Sequence, residues 1–581
     1  MQKTIIRRAY PALTKECAQL NPVLARVYAA RGIQTQALER SLRGLLPFDT
    51  LMGINAAVEL LSTALTTQQR MLLIGDFDAD GATSVAVAVK ALKSMGAQHV
   101  DFLVPNRFEF GYGLTPEIVA VANTFQPDLI ITVDNGISSV QGVDAAKSLG
   151  IKVLITDHHL PPEVLPSADA IVNPNQEKDV FASKNLAGVG VIFYVMLALR
   201  AHLRSMNWFN AQRPEPNLAE LLDLVALGTV ADVVPLDENN RILVYQGLAR
   251  IKAGKACVGI DALLQIAQRH AEKITASDLG FALAPRLNAA GRLQDMALGI
   301  HCLLSDELPL AIDRAMQLDT LNLQRRSLEA QMKTEAMAMI DNIAWGDRDK
   351  VPAGLCLYDK DWHQGVVGIL AGRMKERLQR PVVCFAKVSD EELKGSARSI
   401  AGLHMRDLLE YIATAEPQLI MKFGGHAMAA GLSIRPTHFA AFKERFEHEV
   451  SKVMSPAQLQ GYIETDGELN PQDFSMDLAE LLQQAGPWGQ AFEEPRFDGE
   501  FELLNQQILS NAHVKCQLQP IGSDLVLDAI AFFVDFNTWP KAEQRLQVVY
   551  RLSINEFRGQ KKLQLMIEHI QAISVTAAAR V

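Results

Sequence analysis

The first third of the chain alternates short, continuous apolar blocks with amphipathic stretches. The blocks are MLLIG (71–75), HVDFLVP (99–105), DLIITV (128–133) and KVLIT (152–156). Between them run SVAVAVKALKSMG, a stretch that opens at Thr115-Pro116, and VQGVDAAKSLG. Apolar blocks bounded by turn formers predict strands buried on both faces, and the periodicity between them predicts helices. Together they predict βαβ units and a parallel sheet. LLDLVALGTVA, which runs up to Asp232, reads as one more strand-like block.

Further along, the pattern changes twice. Between about Asp306 and Trp345, apolar residues recur at spacings of three and four, with no Gly or Pro after Pro309. That predicts one long helix, a rod of roughly 45 Å if about 30 residues rise about 1.5 Å each. GLCLYDKDWHQGVVGILAGRMKERLQRPVVCFAK then predicts a second α/β region, ending near residue 455. Beyond the polar SPAQLQGY, the text reads as short strands. RLQVVYRLSINEFRGQKKLQLMIEHIQAI has period-two alternation on either side of Arg558-Gly559-Gln560, which predicts a hairpin in a small β-barrel or sandwich.

A chain of 581 residues exceeds what one core supports, so about three or four domains are expected. Six well-separated cysteines (Cys17, Cys257, Cys302, Cys356, Cys384, Cys516) form no CxxC pair. That argues against structural zinc and a disulfide framework and suits a reducing cytoplasm. No apolar run reaches the length of a membrane span, and MQKTIIRRAYP lacks the apolar stretch of a signal peptide, so the expected location is cytoplasmic. A net charge of −10 gives no global field for a polyanion. Nucleic acid would have to be held in a local basic groove or through bound cations.

Four blocks end in potential ligands: Asp76-Phe77-Asp78-Ala79-Asp80-Gly81, Asp134-Asn135-Gly136, Asp157-His158-His159 and Asp232. Ligands of parallel sheets lie beyond the carboxyl ends of the strands, where these residues would converge. The DxDxDG spacing also opens an EF-hand loop. That loop needs a bidentate Glu at its twelfth position, where Val87 stands, and a helix rather than a strand leading in. A single Asp after a strand is most often a cap or turn former, and Asp80 reads as the cap of a helix starting near Ala82. Four converging acidic ends, however, repel one another unless divalent cations neutralise them, and two cations side by side suit phosphoryl hydrolysis. Mixed carboxylate and imidazole donors favour Mn²⁺ or Mg²⁺ over a thiolate-loving metal.

DFDADG, VDNG, TDHH and GTVADVVPL stand in the order and spacing of the DHH phosphoesterase motifs, and the chain resembles that family. GSARS (395–399) and FGGHAMAAG (423–431) resemble the DHH-associated second domain, whose glycine-rich segment faces the metal cleft. VPNRFEFGYGL (104–114) and APRLNAAGRL (284–293) are similar to segments of the family's bacterial exonuclease branch. The resemblance implies an α/β architecture: an N-terminal segment (1–45), a parallel-sheet DHH domain (46–305) and a long connecting helix (306–348). A smaller α/β DHH-associated domain (349–455) and a C-terminal β-barrel of OB-fold type (460–581) complete it. One departure stands out. Many members carry a histidine shortly before the first aspartate, where this chain has Ile74 and Gly75.

By resemblance, Asp76, Asp78, Asp134, His158 and Asp232 ligate two Mn²⁺ or Mg²⁺ ions, with Asp78 or Asp134 as the bridge. Asp157 and His159 are implied to orient His158 or touch the scissile phosphate, and His426, after Gly424-Gly425, to donate to it. Arg107, Arg286, Ser396 and Arg398 are candidates for a terminal-phosphate pocket, because a guanidinium fork matches phosphate oxygens. Phe108, Phe110 and Tyr112 are candidate base-stacking residues. Tyr550, Arg551, Phe557, Arg558, Lys561 and Lys562 mix aromatic and basic character as a strand-binding platform does. The implied activity is 5′→3′ hydrolysis of single-stranded DNA to 5′ mononucleotides in recombination and repair. A single-strand-binding protein and a helicase of the RecQ type are the implied partners. The alternatives are a pyrophosphatase, a nano-RNase or cyclic-dinucleotide phosphodiesterase, and a catalytically inactive replication scaffold.

Overall fold

A computed structural model describes residues 3–12, 19–33, 40–106, 113–344, 351–455, 458–509, 513–534, 536, 539–541 and 544–573. They fall into two compact units. The larger comprises Ile5–Asn288, Asp295–Met316 and Glu464–Val581; the smaller comprises Met1–Thr4, Ala289–Gln294 and Gln317–Ile463.

After the short strand β1 (Thr4–Arg7), the larger unit builds a parallel sheet. Its strands are β2 (Met71–Gly75), β3 (Val100–Leu103), β4 (Leu129–Val133), β5 (Lys152–Thr156) and β6 (Ala170–Val172), in the order β3-β2-β4-β5-β6. Every residue of β2 and β4 is buried, as continuous apolar blocks require when helices cover both faces. Helices Ala79–Ser94, Pro116–Asn123 and Val140–Ser148 make the crossovers. Thr115 starts the second of these by accepting the Ile118 N–H, with Pro116 in the first turn. The register sets Gly75, Val133, Thr156 and Val172 abreast. Asp76, Asp134, Asp157 and Asn173 therefore leave the sheet side by side.

One expected strand is a helix. LLDLVALGTVA forms Leu222–Ala231, and all its residues from Leu222 to Thr229 are buried. A helix buried all round has no polar face to reveal its period, so the same apolar run fits either element. Helix Gly188–Ser205 is the one apolar stretch of spanning length among the described residues, contrary to the expectation that none exists. It packs on helices Ile54–Thr66 and Ala79–Ser94 with most of its residues buried, which makes it a core helix.

The long helix is present as Leu308–Ala344, 37 residues, or about 55 Å. In the smaller unit β7 (Leu355–Asp359), β8 (Val382–Lys387), β9 (Leu393–Arg398), β10 (Lys422–Gly425) and β11 (Ala429–Ile434) order as β10-β11-β9-β8-β7, with only β7 and β8 parallel. Its core gathers Phe385, Phe442 and Phe446.

Strand β12 (Tyr462–Thr465) pairs with β1, and a closed barrel follows it in the chain. The barrel is built from β13 (Phe497–Leu509), β14 (His513–Pro520), β15 (Leu527–Phe532), β16 (Arg545–Phe557) and β17 (Gln560–Ala572), in the order β13-β14-β15-β17-β16. At the hairpin tip Arg558 and Gly559 have φ of 52° and 76°, the paired left-handed geometry that matches strand twist. The chain is thus an α/β protein with an OB-type barrel. Its N-terminal segment is fastened beside that barrel by ion pairs within the larger unit. Arg7 meets Asp498 at 2.7 Å, Arg8 meets Glu464 at 3.3 Å and Glu493 at 3.2 Å, and Arg31 meets the buried Asp466 at 2.7 Å.

Candidate metal centre

The first arm of the site follows β2. Asp78, and not Asp80, caps helix Ala79–Ser94: its Oδ1 accepts the N–H groups of Asp80 and Gly81 at 2.9 and 3.0 Å. Asp80 instead crosses to another helix. Its two oxygens accept the N–H groups of Val189 and Gly188 at 3.0 and 2.7 Å, at the start of Gly188–Ser205. The cap role expected of Asp80 holds in kind but not in target, because only tertiary packing brings that second helix end within reach. Ile74 is wholly buried, and a Cβ at Gly75 would lie 2.6 Å from Val85. Neither position can present a donor in place of the missing histidine.

The second arm is Asp134, which leaves β4 in the left-handed region with φ 62° and is buried. In the third arm, Asp157 organises its own loop. It accepts N–H groups from Ile137, His158 and His159 at 2.9, 2.7 and 3.1 Å, and its Oδ1 lies 2.7 Å from His159 Nδ1. His158 is thereby turned inward: its Nε2 is 3.1 Å from Asp134 Oδ1 and 3.5 Å from Asp232 Oδ2. Asp232 sits at the C-cap of helix Leu222–Ala231, followed by Val233 at φ 61°, a strained conformation for a β-branched residue.

These side chains gather into three overlapping groups whose donor atoms lie within 4.8 Å of one another: Asp76/Asp78/Asp134, Asp134/His158/His159, and Asp80/His158/Asp232. Burial, and then the neighbouring carboxylates, hold Asp134 and Asp232 well above the ordinary carboxylate range and push Asp80 up to about 7. Asp157 goes the other way. Burial raises it, but its hydrogen bond to His159 and the two histidine charges outweigh that and bring it down. For His159, burial works against protonation, yet the Asp157 hydrogen bond and charge carry it to about 9. Crowded carboxylates with an imidazole among them form a donor set that fits a hard divalent cation.

Several residues that complete the geometry were not anticipated. A Cβ on Gly188 would lie 2.5 Å from Asp134 Cβ, and one on Gly228 would lie 2.2 Å from Thr83 Oγ1 and 2.8 Å from Asp80 Oδ1. Both glycines let a helix come in against the acidic row. Their only signal is a glycine inside an otherwise apolar helix. Asn173 and Asn175 donate to the carbonyls of His159 and His158 at 2.9 and 2.6 Å, pinning the loop of the third arm. Asn288 Oδ1 accepts the Ala79 N–H at 2.8 Å, beside Asp78.

Comparison with known proteins bears directly on this arrangement. The DHH family N-terminal domain matches residues 70–229, the DHHA1 domain residues 352–452, and the RecJ OB domain residues 465–569. The single-stranded-DNA-specific exonuclease RecJ of Escherichia coli (strain K12) is 54% identical over 96% of this chain and 97% of its own length. The chain belongs to the RecJ branch of the DHH family. Among solved structures, RecJ of Thermus thermophilus in complex with Mn²⁺ matches with a TM-score of 0.81 at 28% identity, over 98% of this chain and 79% of that one. The Mg²⁺ complex from the same organism matches with a TM-score of 0.74 at 26% identity, over 98% and 78%.

The other candidates divide. Arg107 and Tyr112, with Phe108 and Phe110, lie outside the described residues. Arg286 folds back so that its Nη1 donates to the Ala282 carbonyl at 2.5 Å. In the DHHA1 domain, Arg398 Nη1 donates to Ser396 Oγ at 3.1 Å, and a Cβ on Gly368 would lie 2.9 Å from that hydroxyl. Register aligns Ser396 with Gly431 and Gly431 with Gly424, a row of small residues in which a Cβ on Gly424 would meet nothing within 4 Å. Gly425 has a φ of 142°, and a Cβ there would lie 2.5 Å from the Ala429 carbonyl oxygen and from Ala430 Cα, so both backbone and space call for glycine. The turn it makes carries His426 at the surface, not in a core.

In the RecJ OB domain two expectations fail. Tyr550 is fully buried among Phe474, Phe497 and Phe501, and Arg551 is engaged by Glu494 and by Glu568, the latter at 2.6 Å. Phe557, Arg558, Lys561 and Lys562 are exposed, as a platform requires.

Proposed function

We propose that this chain is a metal-dependent exonuclease that hydrolyses single-stranded DNA from the 5′ end to 5′ mononucleotides, in recombination and repair. The observation that carries this reading is the row of Asp76, Asp134 and Asp157 at abreast strand ends, closed by His158 between Asp134 and Asp232. In it Asp76, Asp78, Asp134, His158 and Asp232 would hold two Mn²⁺ or Mg²⁺ ions, with Asp78 or Asp134 shared between them. Two such ions supply Lewis-acid activation of water and charge stabilisation at the phosphoryl oxygens. Asp157 fixes the tilt of His159, leaving its Nε2 to face the substrate phosphate. Asp80 spends both oxygens on helix N–H groups and is a positioning residue. Arg107, Arg286, Ser396, Arg398 and His426 are substrate-phosphate contacts, with Gly424 and Gly425 allowing close approach and Tyr112 a stacking contact. The name and identity of the Escherichia coli relative support the substrate class. The domains of this enzyme run over 46–305, 349–455 and 460–581, and its location is cytoplasmic. A RecQ-type helicase and a single-strand-binding protein are the partners that would supply and deliver the strand.

The test is hydrolysis of a long, end-labelled single strand with Mn²⁺ or Mg²⁺, beside its duplex, an RNA copy and a dinucleotide, with Asp134→Ala as blank. Stepwise release of mononucleotides from the 5′ end of single-stranded DNA alone is the expected result. Cleavage of the dinucleotide alone would move the protein to the nano-RNase branch, and no hydrolysis with either metal would leave the scaffold reading.

A further inference from the structure

Segment Leu279–Asn288 borders the acidic cluster on two sides. At one end, a Cβ on Gly280 would lie 3.3 Å from Val230 Cγ1, on the helix that terminates at Asp232. At the other end, Asn288 is bonded to the Ala79 N–H, next to Asp78. Around the first of these contacts the chain makes a π-helical turn, Leu279–Leu283, an irregularity that recurs at functional sites. The widened turn presents Phe281, whose neighbours Leu279, Ala282 and Leu283 are buried while it is 85% exposed. No other described large apolar residue of the chain is more exposed.

A phenyl ring held in water one residue from the contact with the helix that ends at Asp232 offers an apt stacking face to an unpaired nucleobase of a strand bound at the acidic cluster. It has no polar atom with which to read an edge, so it stacks on any base, whereas an interior base of a duplex has both faces already covered. The segment also connects with the barrel. Lys273, six residues before the π-helical turn, pairs with Glu556 at 2.9 Å, next to the exposed Phe557 and Arg558 of the hairpin tip. The stretch from Lys273 to Phe281 thus has exposed Phe557 and Arg558 near one end and exposed Phe281 at the other.

We propose that Phe281 stacks on an unpaired base of the substrate strand next to the phosphate being cleaved, and so positions single strands and disfavours duplexes. The inference rests on the exonuclease reading. Its test compares wild type, Phe281→Ala and Phe281→Trp on the same long single strand, intact or with abasic positions near its 5′ end. Phe281→Ala is expected to raise KM about tenfold with kcat changed by less than about twofold, and Phe281→Trp to restore KM. Abasic positions should raise the wild-type KM by a similar factor and add nothing to the Phe281→Ala value. An unchanged KM in Phe281→Ala, equal damage in both variants, or abasic effects that multiply with the substitution would overturn the proposal. If wild type itself cleaves only dinucleotides, the exonuclease reading fails first, and that outcome is visible in the same assay.

Discussion

Two groups of buried carboxylates in the larger unit are treated in opposite ways. Beside the barrel, Asp466 and Asp498 are each met by a guanidinium from the N-terminal segment, at 2.7 Å in both cases. At the strand ends, Asp76, Asp80, Asp134 and Asp232 crowd against one another with His158 among them. The charges acting most strongly on Asp134 there are those of Asp80, Asp78, Asp76 and Asp232. Asp76, Asp80 and Asp134 are buried about as fully as the barrel-side pair, with Asp232 more exposed; what differs is the sign of the neighbouring charge. A buried carboxylate with a built-in cationic partner holds parts of a fold in register, whereas buried carboxylates set against one another oppose folding and are kept for what they bind.

The comparison breaks most visibly at Asp134. Asp134→Asn should lower strand hydrolysis by about a thousandfold or more, while raising the melting temperature of the metal-free protein by removing a repelled charge. Product release and calorimetry check the two halves. If the metal-free protein melts lower instead, the crowding is not costly and the contrast is wrong. Next in size, Asp466→Asn should cost about 3 kcal/mol by leaving Arg31 buried beside a neutral group. Urea unfolding measures this, and hydrolysis per folded molecule should be unchanged.

The pH dependence sharpens the contrast further. A carboxyl whose folded pKa lies above its unfolded value contributes most at low pH, and loses that contribution as pH rises through the folded value. Asp80, near 7, together with Asp134 and Asp232, both held well above the ordinary range, therefore predicts that the metal-free melting temperature falls from pH 5 to pH 8. Asp157, shifted downward, has made its contribution below that window. Mn²⁺ should flatten the slope and release protons on binding, seen as buffer-dependent binding heats. The smallest effect belongs to Tyr550, whose buried hydroxyl has no hydrogen-bond partner among the described residues. Tyr550→Phe should leave stability within about 1 kcal/mol of wild type or above it, and binding of single strands unchanged by gel shift.

What the sequence revealed follows from how strongly each feature is tied to local pattern. Asp76, Asp134 and Asp157 were legible because parallel strands are apolar along their whole length, so the first polar residue marks the end that faces the ligand. Asp232 joins the same cluster although it ends a helix and not a strand, since an all-buried helix and a buried strand look alike in one dimension. Tyr550 was misplaced for a subtler reason. Its character, an aromatic beside a basic residue, suggested a strand-binding platform, but alternation along β16 puts it on the same face as the buried Leu546 and Val548, and the bulge at this point adds its extra residue, Glu568, to β17 instead. Gly188 and Gly228 had no local reason to matter; their role exists only once two helices have closed on Asp134 and Asp80.

The pairing of β1 with β12 also sets a timetable for the chain's birth. The Arg8 N–H finds the Thr465 carbonyl only after another 457 residues have been made. At about 5–20 residues per second, a ribosome needs about 25 to 90 seconds to deliver that partner. Through that interval the first strand waits as an open edge, and the adjacent arginines, Arg7 and Arg8, are the kind of charge that keeps such an edge from recruiting a neighbour.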